Sequence, residues 1–162
     1  MLRGQTPNQV IGTGTNDNAA AGIVGEFITA TVAVGGAVAL VTATANTVTS
    51  ITLTPGDWDM SATIDYNLTG ATVTDFRGGP SLNAALPPQI GGTIGTGTLG
   101  TDSLAINPSN FATITDVLTL QIPPVRLQVL NAASAIVNLV AQATFSVGTV
   151  SAFGTIRARR MR

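Results

Sequence analysis

Residues 46–67, NTVTSITLTPGDWDMSATIDYN, limit what this chain can fold into more than any other stretch. After the Pro55-Gly56 turn, Trp58, Met60, Ala62, Ile64 and Tyr66 alternate with Asp57, Asp59, Ser61, Thr63 and Asp65. Successive strand side chains point to opposite faces, so this run predicts a long half-buried antiparallel strand, with one apolar face and one acidic, wet face. Before the turn, Ile51 and Leu53 alternate with Ser50, Thr52 and Thr54 in the same way. The run carries the only Trp and the only Tyr of the chain, so Trp58 and Tyr66 are expected to anchor the core.

The rest of the sequence points to the same class. With 162 residues, one domain plus an arm is the natural size. The 25 Thr favour strands and the 18 Gly punctuate turns, while Lys is absent and Glu26 is the sole Glu. Long solvated helices are therefore not expected. The predicted fold is all-β: an antiparallel β-sandwich, jelly-roll-like, over residues 26–162, behind an extended N-terminal arm at 1–25. That leader could equally fold back on its own domain. Strands are expected at 26–34, 37–43, 47–54, 57–67 and 71–76. Others are expected at 111–122, 125–130, 135–147, with Phe145 as a third core anchor, and 149–159. Between them, a Gly- and Pro-rich loop region is expected at about 77–110, long enough to serve a partner.

Several function classes are excluded or left without support. There is no His, Cys or Lys, so no Ser-His, Cys-His or Lys-based nucleophile system can be built. A net charge of −1 gives no field to draw nucleic acid. The uncharged run 27–45 approaches the length of a membrane helix, but its Thr residues and the Gly35-Gly36 break read as two strands, so membrane insertion is not expected. Gly95-Thr96-Gly97-Thr98-Leu99-Gly100 spells a dinucleotide fingerprint without the flanking strand, helix and acid that would give it meaning. Asp57 and Asp59 are spaced like a possible glycosidase pair, or like part of a hard-cation site with Asp65 and Asn67. Alternation alone accounts for them as a solvated face. No enzyme activity and no catalytic, cofactor-binding or metal-binding residue is expected.

The C-terminus gathers Arg157, Arg159, Arg160 and Arg162 within six positions. On a closing strand, Arg157 and Arg159 project from one face. The cluster is expected to pair with carboxylates of a neighbouring subunit rather than with nucleic acid.

Three stretches resemble the globular domains of tailed-phage and prophage fibre-type proteins. They are Asn16 to Glu26 (NDNAAAGIVGE), Ser50 to Asp59 (SITLTPGDWD), and Leu139 to Ser146 (LVAQATFS) continuing to Phe153 to Arg160 (FGTIRARR). They keep their order and bracket residues 16–162, while 77–130 carries no matching motif. The resemblance implies a non-enzymatic virion structural protein, made in the bacterial host cytoplasm and displayed on the particle surface as a capsid decoration, head-fibre or short tail-fibre protein. It implies a homotrimer, fastened to a capsid or tail protein through its arm. The alternative is a fibre tip that recognises a host surface glycan, with Phe76 and Phe111 as the aromatics nearest the loops.

Overall fold

The computed structural model describes residue 15 and residues 17–84, 93–94, 97–99, 118–129 and 134–162. Ten strands lie within them: β1 Phe27–Val32, β2 Val38–Ala39, β3 Asn46–Leu53, β4 Gly56–Thr69 and β5 Val73–Ser81, then β6 Thr93–Ile94, β7 Gly97–Leu99, β8 Leu118–Val129, β9 Ala135–Phe145 and β10 Thr149–Arg160. The larger sheet runs β1-β10-β4-β8-β7-β6, with β2 extending the β1 edge along β10. The smaller sheet runs β3-β9-β5, and every pairing is antiparallel. The fold is an antiparallel β-sandwich.

The alternation in 46–67 sorts side chains as expected. Trp58, Met60, Ile64 and Tyr66 are fully buried, and Ile51 and Leu53 meet them from the smaller sheet. Burying side chains of this size contributes roughly 2–3 kcal/mol each. Phe145 packs at the margin of this core rather than inside it. The Tyr66 ring lies 4.9 Å from that of Phe76 at 60°, and its hydroxyl donates to the Arg77 carbonyl at 2.7 Å. Burial raises the Tyr66 hydroxyl well above its ordinary value.

Four local features go beyond the alternation pattern. First, the runs either side of Pro55-Gly56 lie in different layers: β3 belongs to the smaller sheet and β4 to the larger, so the turn crosses between them. The links from β2 to β3, β4 to β5, β8 to β9 and β9 to β10 also change sheets.

Second, Pro123-Pro124 does not end a strand. Met60 pairs with Val125 and Ala62 with Ile122, so the two prolines face Ser61 in a bulge. That extra residue moves the buried series from Leu120 and Ile122 to Val125, Leu127 and Val129. Residues that lack an amide are tolerated where ladder bonding is already interrupted.

Third, 77–81 is strand, not loop. A Cβ on Gly78 would overlap the Ile64 side chain and lie 2.8 Å from the Tyr66 hydroxyl, so this glycine lets the two sheets approach. The remainder of the expected loop lies outside the described residues, apart from 82–84 and the short β6 and β7.

Fourth, the second strand expected at 37–43 shrinks to β2, and Gly35-Gly36 closes a short 3-10 turn. Among the described residues, no helix is long and apolar enough to cross a membrane.

Candidate functional site: an arginine clamp joining three segments

The C-terminal arginines separate by strand parity. Along β10 the side chains of Ala152, Ile156 and Ala158 turn inward, and Arg160 falls on the same face. It is 4% exposed, beside Glu26 at 6%. A buried guanidinium must find both charge and acceptors, or its desolvation would not be offset. Arg160 finds them on two other segments. Its Nε donates to Glu26 Oε2 at 2.9 Å, its Nη1 to the Pro55 carbonyl at 2.7 Å, and its Nη2 to the Thr54 hydroxyl. The guanidinium carbon stands 4.3 Å from the centroid of the Trp58 ring. The indole Nε1 donates to the Thr54 carbonyl at 2.9 Å, which fixes the ring against the turn.

Glu26 is held as closely. Its Oε2 also accepts the Gly22 amide at 2.8 Å. Burial pushes this carboxyl up, but the Gly22 amide and Arg160 outweigh it and leave it below the ordinary value. Main-chain bonds repeat the connection: the Gly25 amide donates to the Arg160 carbonyl at 3.0 Å, and the Arg160 amide to the Glu26 carbonyl at 2.9 Å. One turn earlier, the Asn18 amide group imitates a strand partner. Its Nδ2 donates to the Phe27 carbonyl at 2.7 Å and its Oδ1 accepts the Phe27 amide at 2.8 Å.

Residues 18–26 thus form a strap bonded to β1 and β10. Of the two expectations for the leader, folding back on the domain describes these residues; 1–14 and 16 lie outside the described residues. Gly56 completes the arrangement. Its φ is +150°, and a Cβ there would overlap Arg160 Nη1 and crowd the Arg162 carbonyl.

The remaining cluster residues lie elsewhere. Asp57 is buried at the sheet end, with Arg126 Nε on its Oδ1 at 2.7 Å and Arg162 Nε 3.5 Å from its Oδ2. The hydrogen bond from Arg126 is the main reason its carboxyl sits below the usual range. A general acid needs the opposite shift, so Asp57 does not suit the acid role of a glycosidase pair. Arg157 and Arg159 are exposed on the outer face, where Arg157 Nε donates to the Ser61 hydroxyl at 3.1 Å. Arg160 is committed within its own chain and presents nothing to a neighbouring subunit. Phe76 is fully buried, so it offers no platform to a glycan, and Phe111 lies outside the described residues. Among the described residues, no cluster of three or more acidic groups could hold a metal.

Sequence reasoning placed Glu26, Asn18 and Thr54 in no site. The available signals were that Glu26 is the only Glu and that inward parity along β10 runs on to Arg160. Comparison with protein families, curated proteins and solved structures finds no match for this chain.

Proposed function

We propose that the chain is a structural component of a tailed-phage virion, displayed on the particle surface as a capsid decoration, head-fibre or short-fibre protein. It is held there through residues preceding the strap. One observation carries this reading. The stretches that resemble fibre-type domains, far apart in sequence, supply the strap, the Pro55-Gly56 turn and the closing strand, and all three meet at the Glu26–Arg160 ion pair. A surface protein pulled by its leading segment needs that segment locked to its core, and a buried ion pair with two further acceptors, the Pro55 carbonyl and the Thr54 hydroxyl, does this mechanically. The low charge of the chain, with 9% charged residues, fits burial of its Thr- and Val-rich surfaces between copies, in a homotrimer.

The test uses particles of the phage or prophage that carries the sequence. Chain lacking residues 2–14 should unfold at the temperature of the full chain yet fail to join the particles. Full occupancy by the shortened chain, or absence of the full chain from purified particles, would reject the reading.

A further inference from the structure

The outer face of the larger sheet carries a shallow groove that neither the clamp nor the core explains. Its recesses are lined by Arg157 and Arg159 against Asp17 and Asp59, so the charge in it is balanced. Arg159 and Asp59 are direct partners across β10 and β4, yet neither forms an ion pair among the described residues. Arg159 is exposed and Asp59 half-buried.

The order of residues across the strands decides what such a face can meet. Phe27 on β1 pairs with Arg159 on β10, Arg159 with Asp59 on β4, and Asp59 with Arg126 on β8. Four neighbouring strands thus carry one outward row: aromatic, cation, anion, cation. A half-turn about an axis parallel to the strands, midway between β10 and β4, lays β10 over β4 and β1 over β8. Arg159 then meets Asp59 of the second copy, Asp59 meets Arg159 of that copy, and Phe27 meets its Arg126. In the following rows Arg157 falls on Ser61 and Thr155 on Thr63. In these rows no cation lands on a cation and no carboxylate on a carboxylate.

We propose that this face binds the same face of a second copy, as a two-fold pair of sheets about 10 Å apart. Two reciprocal Arg159–Asp59 pairs lie at its centre. On either side the Phe27 ring, 39% exposed, receives the guanidinium of Arg126, which Asp57 already holds in place. A wholly acidic or wholly basic partner would set like charges against half of the central row, whereas a copy of this chain sets none. The inference goes beyond the virion reading and does not rest on it, because a two-fold contact doubles whatever unit the other surfaces build.

Light scattering follows the mass of the full chain across a concentration series. The expected result is a doubling of mass as concentration rises. Arg159→Asp and Asp59→Arg should each weaken this association about 25-fold, the worth of two exposed ion pairs at about fivefold apiece. An equimolar mixture of the two variants should restore the doubling, because unlike charges then face each other across the axis. Thermal unfolding of each variant at the temperature of the original chain shows that both are folded. A mass that either reversal leaves unchanged would overturn the proposal. So would a mixture that stays at the lower mass while both variants are folded.

Discussion

Arg159 and Arg160 are neighbours on one strand, yet they live in different environments. Arg160 lies beneath the larger sheet, against Trp58, with Glu26, Thr54 and Pro55 around it. Arg159 lies above it, exposed beside the groove. The two are separated by one step of strand alternation. Beneath the sheet, charge is a fastener whose removal leaves an uncompensated ion; above it, charge is solvated, screened and free to meet a partner. A run of arginines therefore cannot be read as one patch until parity has divided it.

The largest break in this comparison should come from Arg160→Met, which leaves Glu26 buried without its cation. The expected loss is about 3 kcal/mol of unfolding free energy in denaturant titration. Gly56→Ala attacks the same site from the turn. Its strained backbone and the overlap with Arg160 should cost about 2 kcal/mol, seen as a lowered midpoint with an unchanged slope.

Acid probes the clamp without mutation. Glu26 and Asp57 both titrate below their ordinary values of 4.5 and 3.8. A carboxyl depressed by folding contributes stability that is fully present above its ordinary value and lost as pH falls through its folded-state value. Stability should therefore be level near neutrality and decline below about pH 4.5, and Glu26→Gln should make that decline shallower in thermal unfolding followed across pH.

Asn18→Ala removes the side-chain imitation of a strand partner and should cost about 1 kcal/mol. Its signature is local: faster hydrogen exchange at the Phe27 amide, with the β4 amides unaffected. At the other end of the scale, Arg159→Gln should change stability by less than about 0.5 kcal/mol, since its side chain is solvated.

Much of the sandwich was legible from period alone. Trp58 to Tyr66 and Ile51 to Leu53 sort correctly because each strand has one buried face and alternation records it. Partners were not legible, since alternation says which face is inward but not which strand lies alongside. Hence alternation on both sides of Pro55-Gly56 does not reveal that this turn crosses between sheets. Composition misled where packing overrode it: Gly78 to Pro80 read as loop, yet Gly78 lies on a strand where a Cβ would overlap Ile64 of the facing sheet. β9 is buried on both faces at Leu139, Val140 and Ala141, so its alternation fades. The clamp was half legible. Its three stretches stood out as motifs, but their meeting depends on contacts such as Glu26 with Arg160, 134 residues apart, that no local pattern encodes.

The central claim is that Glu26 and Arg160 act as one unit joining the strap to the sandwich. It is tested most directly by a double-mutant cycle in denaturant, using Glu26→Gln, Arg160→Met and the pair together. A coupled, buried pair predicts that the double variant loses about 2 kcal/mol less than the sum of the single variants. Single losses that add to within about 0.5 kcal/mol would mean that the two residues act independently, and would contradict the clamp.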